Sequence, residues 1–149
     1  MELGNDKLKK TAEDFGFNSV VKGPGITITA SRFPTLDEYE EGNIAQSGIG
    51  QGAVLSTPMQ MALVAATVAN DGVMMQPKLV NKVVDSDKNT VKNIPDKELK
   101  EVIDKEDAQT IKSYMKYLID NNIYRWPAFE GTNAGGKTGT ADYTLPDGT

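Results

Sequence analysis

The sequence contains no cysteine and no histidine. Those two absences exclude disulfides, thiolate catalysis, Ser-His-Asp triads and the usual Cys/His zinc sites, so any proton transfer must run through Lys, Asp, Glu or Tyr. No metal and no cofactor is expected. Long apolar runs are missing too. The longest, Met59 to Ala69, is interrupted by Gln60 and Thr67 and falls well short of the ~20 residues that a membrane-spanning helix needs. The opening Met1-Glu2-Leu3-Gly4-Asn5 lacks the basic-then-apolar layout of a signal peptide, so any export signal or anchor is expected outside this sequence. Positive charge is in short supply, with 16 Lys and Arg against 21 Asp and Glu and a net charge of −5. With no basic cluster interleaved with aromatics, nucleic acid is not an expected partner.

What is present suits one globular unit: 149 residues, 38% hydrophobic and 25% charged. Asn5 or Asp6 is placed to cap a first helix with Leu8, Ala12 and Phe15 on one face, and Gly16 is placed to stop it. From Ser19 to Gly42 a Gly-Pro-Gly break, the alternation Ile26-Thr27-Ile28-Thr29 and an acidic stretch read as an irregular excursion with one short strand. Thr57 as N-cap, Pro58 at the first helical position and small or apolar residues through Ala69 predict a helix ended by Asn70-Asp71-Gly72. Because that helix is apolar nearly all round, it is expected to be buried on most sides, with Ala62, Ala65, Ala66 and Ala69 allowing close approach.

Pro77 to Asp85 and Thr90 to Ile94 read as a hairpin joined by the polar turn 85–89. Asp104 then caps a third helix whose Ala108, Ile111, Tyr114, Met115, Leu118 and Ile119 recur at three and four residues, ended by Asn121-Asn122. The tail from Gly131 to Ala141 is small and β-branched. Leu145-Pro146-Asp147-Gly148-Thr149 reads as a turn that opens a hairpin, so a partner strand is expected beyond it.

The sharpest chemical signal is Lys137-Thr138-Gly139-Thr140-Ala141, reached through Gly135-Gly136. On an edge strand, such a run makes an anion and carbonyl clamp. The Lys charge attracts a carboxylate, and the Thr hydroxyls donate hydrogen bonds to it. The Gly admits a substrate backbone, and an N–H at the strand's end can meet a developing oxyanion. A bare Lys-Thr-Gly also arises by chance in exposed turns, so its context decides.

That context is Ile44-Ala45-Gln46-Ser47-Gly48-Ile49-Gly50-Gln51-Gly52, then Thr57-Pro58-Met59-Gln60-Met61-Ala62, Ala69-Asn70-Asp71-Gly72 and Pro77-Lys78-Leu79-Val80, all ahead of Gly136 to Ala141. In this order the run resembles the transpeptidase domain of class B penicillin-binding proteins, and Phe15-Gly16-Phe17 resembles the segment just after that family's second catalytic motif. The resemblance implies an α+β chain, a partial transpeptidase domain over 1–149 with the serine β-lactamase-like fold, mainly its helical part plus the strand bearing Lys137. It implies DD-transpeptidation of peptidoglycan stem peptides ending in D-alanyl-D-alanine, through a serine acyl-enzyme that β-lactams also form. By resemblance Lys137 supports acylation, Thr138 and Thr140 bind the terminal carboxylate, Gly139 belongs to the same substrate-binding element, and the Thr140 N–H joins the oxyanion hole. Gln51 lies in a loop that the family places by the active site, where packing is its other reading. The resemblance also implies a membrane-anchored parent at the outer face of the bacterial cytoplasmic membrane.

The family's S-x-x-K and S-x-N motifs do not map onto the chain. Ser19-Val20-Val21-Lys22 follows the Phe-Gly-Phe segment instead of preceding it, Ser113-Tyr114-Met115-Lys116 sits inside an amphipathic helix, and no Ser-x-Asn or Tyr-x-Asn occurs. The chain alone is therefore expected to be catalytically incomplete and to self-associate through an exposed Lys137 strand edge. The rival reading is a non-catalytic interaction module derived from the same fold. Asp85, Asp87 and Asn89 have calcium-loop spacing, but Thr90 stands where a Gly is required, so a solvated turn is expected. Gly48-x-Gly50-x-Gly52 lacks the Walker lysine. Asp37, Glu38, Glu40 and Glu41 read as a solvated acidic loop, and Trp126 as a loop anchor.

Overall fold

The computed structural model describes residues 3–139. Its first helix, α1 (Gly4–Asp14), starts one residue ahead of the expected cap and has no side-chain cap. Asn5 is instead inside the helix and buried, spending its amide on the neighbouring chain: it donates to the Pro34 carbonyl (3.3 Å) and accepts from the Leu36 N–H (3.0 Å). Gly16, at φ +93°, ends the helix as expected.

The excursion after α1 holds a hairpin, β1 (Val21–Gly23) and β2 (Ile26–Ile28), where one strand was expected. A helix not foreseen in the sequence follows, α2 (Glu41–Gly48). It has no Ser, Thr, Asp or Asn cap and glycine near both ends, so its local signals are weak. Glu40 precedes the helix without capping it: its carboxylate accepts from the Asp37 N–H (2.9 Å) and from the Asn43 side chain (3.0 Å), which braces the turn that leads into α2.

Helix α3 (Pro58–Ala69) forms as the sequence predicts, with the Thr57 hydroxyl accepting from the Gln60 N–H at 3.1 Å. Its burial does not follow the expectation. Gln60, Leu63, Thr67 and Val68 are buried, whereas Met59, Met61, Ala62, Ala65, Ala66 and Ala69 are exposed. Its elements of contact, β3 (Val73–Met75) and α4 (Lys105–Asp120), cover one side only, so the other apolar side has no cover among the described residues. Gln60 is wholly buried and donates to the Phe15 carbonyl at 2.6 Å, which fixes α3 to the end of α1.

Three two-stranded antiparallel sheets occur among the described residues: β1 with β2, β3 with β6 (Glu98–Glu101), and β4 (Lys82–Val84) with β5 (Thr90–Asn93). The β4–β5 hairpin matches the expected pair, though shorter. Asp85 ties its turn by accepting from the Asp87 and Asn89 N–H groups at 3.0 and 2.8 Å. The β3–β6 pair was not legible, because Glu-Leu-Lys-Glu has no strand composition. In α4, Asp104 caps through the Asp107 N–H (2.8 Å) and Ala108 and Ile119 are buried, as expected. Tyr114 departs from the expected face, being 69% exposed. Asn121 and Asn122 close the helix by donating to the Tyr117 and Leu118 carbonyls.

Two predictions follow from this packing. Gly72, at φ +91°, turns the chain from α3 into β3, and a Cβ there would collide with the Ile103 carbonyl. Gly72→Ala should cost more than about 2 kcal/mol in chemical denaturation, since left-handed strain and backbone overlap add. Asp71 lies between Lys112 (2.6 Å) and Lys105 (3.3 Å), whose hydrogen bonds hold its carboxyl below the usual carboxylate range. A depressed folded-state pKa contributes stability that is complete above the unfolded value of about 4 and is lost as pH falls through the folded value. Asp71→Asn should therefore lower the melting temperature at pH 7, and the gap from wild type should close in acid below that depressed value.

Candidate functional site

The candidate site is carried on the segment that leaves α4. After the 3-10 turn Pro127–Phe129 the chain doubles back, and residues 133–139 run beside α4 without joining any sheet among the described residues. The strand expected at Lys137 therefore has no ladder partner here. Its backbone tie is to a helix: the Gly136 N–H donates to the Met115 carbonyl at 3.0 Å. Gly135 and Gly136 lie flush against Met115 and Ile119.

From that seat Lys137, Thr138 and Gly139 project into the open, all three exposed. The Lys137 ammonium donates to the Thr138 carbonyl at 2.7 Å and meets no carboxylate among the described residues. A Cβ on Gly139 would touch nothing within 4 Å among the described residues. Thr140, assigned carboxylate and oxyanion roles, lies outside the described residues, as do Ala141 and the turn at 145–149.

The platform beneath the segment is α4, and Asp71 locks α4 to the end of α3 through Lys105 and Lys112. A cleft of about 620 Å³ opens between the two helices and the incoming segment, lined by Ala65, Val68, Ala69, Met115, Asn133 and Ala134 among others. Lys137 does not line it. The cleft lies under the segment's approach, and most of its polar lining, Gln109, Lys112, Ser113 and Lys116, comes from α4 and not from the Lys137 motif.

Gln51 sits half-buried in the turn after α2, its N–H donating to the Gln46 carbonyl at 2.9 Å. Neither S-x-x-K string forms a nucleophile and base pair. The Ser113 hydroxyl donates to the Thr110 carbonyl (2.7 Å), and Lys116 pairs with Asp120 (3.2 Å). Ser19 and Lys22 are both exposed, Lys22 within β1. Asp85 spends its carboxylate on turn amides, and no group of three or more metal-ligating side chains occurs among the described residues. Trp126 is half-buried, its N–H closing a turn on the Ile123 carbonyl (2.9 Å), which suits a loop anchor.

Met115 and Ile119 are the residues that sequence reasoning did not connect to the site. Their helical spacing was visible, and so was the Gly-Gly pair, but nothing in the sequence says that one lies on the other.

Comparison with known proteins gives this arrangement its relatives. The model of the penicillin binding protein transpeptidase domain matches residues 1–149. The peptidoglycan D,D-transpeptidase PbpA of Mycolicibacterium smegmatis is 31% identical over 143 residues, 96% of this chain and 28% of that protein. Stage V sporulation protein D of Bacillus subtilis is 31% identical over 93% of this chain and 22% of its own length. This chain thus spans about a quarter of these relatives. Among solved structures, the D,D-transpeptidase domain of a peptidoglycan glycosyltransferase from Eggerthella lenta superposes with a TM-score of 0.80 at 28% identity, over 95% of this chain and 37% of that one. An imipenem acyl-enzyme complex of penicillin-binding protein A from M. tuberculosis superposes with a TM-score of 0.67 at 26% identity, over 74% of this chain and 25% of that one. With the family model matched from end to end and the mixed helix and strand architecture shared, this chain belongs to the penicillin-binding protein transpeptidase domain family.

Proposed function

We propose that this chain is the Lys-Thr-Gly-bearing part of a peptidoglycan DD-transpeptidase domain, and that the serine nucleophile and its lysine base come from outside these 149 residues. The observation that carries the reading is the exposed Lys137, with Thr138 and Gly139, on a segment seated on α4 that has neither a carboxylate partner for Lys137 nor a sheet partner among the described residues. In this role the Lys137 charge draws in the terminal carboxylate of a D-alanyl-D-alanine stem peptide or the corresponding anion of a β-lactam. The Thr138 and Thr140 hydroxyls donate hydrogen bonds to it. Gly139 leaves room for the substrate backbone, the Thr140 N–H serves the oxyanion, and Gln51 borders the substrate. The serine attacks the carbonyl, its proton passes to the lysine base, and the leaving D-alanine amine departs protonated.

Several observations support a partial domain over 1–149. The accessible surface is 10616 Å², against about 7,400 Å² for a compact monomer of this mass. Much of α3 is apolar and open, and the sequence holds no S-x-N motif. The unpaired segment also offers backbone donors and acceptors through which copies of the isolated chain would associate. No helix among the described residues is long and apolar enough to cross a membrane. Residence at the outer face of the bacterial cytoplasmic membrane is accordingly assigned to a parent anchored elsewhere in its length. Peptidoglycan stem peptides and β-lactams are its ligands.

Intact-mass analysis after incubation with a β-lactam tests the proposal. This chain alone should stay unmodified, while the product of the whole reading frame that contains it should gain one adduct per molecule. A stoichiometric adduct on Ser19 or Ser113 would sink it. In that larger protein Lys137→Ala should slow acylation about tenfold to a hundredfold, the worth of a hydrogen bond to a charged group. An unchanged rate would remove Lys137 from the site.

A further inference from the structure

The segment that delivers Lys137 rests on α4 through two residues without side chains, and the fit is tight. An ideal Cβ on Gly136 would lie 3.1 Å from Ile119 Cδ1 and 3.7 Å from Ile119 Cγ1. One on Gly135 would lie 3.2 Å from Met115 Cβ and 3.5 Å from the Lys116 backbone nitrogen. Neither glycine is in the left-handed region, so it is space, not backbone conformation, that requires glycine here. Between these two contacts runs a hydrogen bond that holds the segment down, from the Gly136 N–H to the Met115 carbonyl at 3.0 Å.

We propose that Gly136 is a positioning residue for the transpeptidation site, its missing side chain letting the chain seat on Ile119 so that the adjacent Lys137 is held at the height acylation needs. The inference rests on the reading that Lys137 serves acylation. Its physical content is that a methyl at Gly136 must either push Ile119 aside or lift the segment. Ile119 is buried within a packed helix, so its Cδ1 has little room to yield, and the segment has no sheet partner among the described residues to hold it down. The segment lifts. Lys137, one residue on, moves with it by a few tenths of an ångström or more. Displacements approaching 1 Å cost up to about a hundredfold in rate when they misplace a charged group against a reacting centre.

The contact itself supplies a rescue. Shortening Ile119 to valine removes Cδ1, the only atom of that side chain closer than ordinary van der Waals distance; the next, Cγ1 at 3.7 Å, accommodates a methyl. Gly135 has no such remedy, because the atoms facing it belong to the helix backbone and to a Cβ.

The experiment uses the product of the whole reading frame and measures the second-order rate constant of β-lactam acylation together with the melting temperature. Gly136→Ala should lower the rate about tenfold or more, Ile119→Val alone should leave it within about twofold of wild type, and the double variant should recover most of the loss. A rate for Gly136→Ala equal to wild type overturns the inference, as does a cooperatively melting double variant that recovers nothing. If wild type itself is not acylated, the functional reading falls instead. Should that happen, or should Gly136→Ala fail to fold, amide exchange in the wild-type protein decides the seat. Protection of the Gly136 N–H supports it, and exchange at the rate of an open loop overturns it.

Discussion

A single carboxylate at the corner between two helices sets the frame on which the Lys137 segment stands. Asp71 follows the C-terminal end of α3, where the helix dipole disfavours an anion, and it adopts φ +52°, a conformation that Asp tolerates better than most residues. Lys105 and Lys112, two turns apart on α4, offset that cost by closing on it from one side. Each of these pairs is partly exposed, and each alone would contribute little. Their value is geometric: two lysines on one carboxylate fix the rotation of α4 as well as its distance. That rotation decides which residues of α4 the incoming segment meets. Met115 and Ile119 lie three and seven positions beyond Lys112, on the same side of the helix, and so they form the seat.

The rest of the described chain is held by polar stitches of a similar kind, because its buried apolar residues are few. Asn18, at φ +59°, pairs both amide groups with one residue, donating to the Phe33 carbonyl (3.1 Å) and accepting from the Phe33 N–H (2.9 Å). Asn5 does the same across Pro34 and Leu36. Together with the Arg32–Leu55 bridge they hold the stretch 31–36, which has no strand of its own, as two rungs of a ladder would. Gln60 makes half of the same device at the centre, donating to Phe15 while Gly16 leaves space beside its amide, its buried Oε1 having no partner among the described residues. Leaving a buried donor such as the Asn5 or Gln60 amide without its partner costs about 1–3 kcal/mol, so these side chains specify where the extended segments lie.

How much of this was legible depended on whether the cause was local. The caps at Thr57 and Asp104, the stop at Gly16, the asparagine closure of α4 and the turn at Asp85 are each written within a few residues, and each was read from them. Helix α2 was missed because its N-cap, Glu40, makes no side-chain capping bond and is not a capping residue type, and the β3–β6 pair because Glu98 to Glu101 pair by backbone alone. The burial of α3 misled for a different reason. An apolar helix reports how much cover it requires, not whether that cover lies in the same stretch of chain. The site divides the same way. Its polar residues were named from the motif, while the helix that carries them was not, since a Gly-Gly pair marks a close approach without saying to what.

Charge explains why the motif needs that carrier. The chain is acidic overall, so on the proposed reading a carboxylate substrate gains nothing from the general field and must be captured by a local cation within a Debye length of about 8 Å. Lysine alone does not mark such a place. Lys82 and Lys92 on the β4–β5 hairpin also lack carboxylate partners among the described residues, and they face open solvent where screening leaves them little pull. Lys10, Lys78, Lys100, Lys105, Lys112 and Lys116 are each committed to an aspartate. What sets Lys137 apart is that its backbone neighbours, not its charge, are constrained: Gly136 is fixed against α4 on one side, and on the other Gly139 meets nothing among the described residues. On the proposed reading, a cation whose backbone is held at a defined height above a rigid helix can meet a substrate carboxylate with less ordering of the loop. That saving in side-chain and loop entropy is what separates a binding element from a surface lysine.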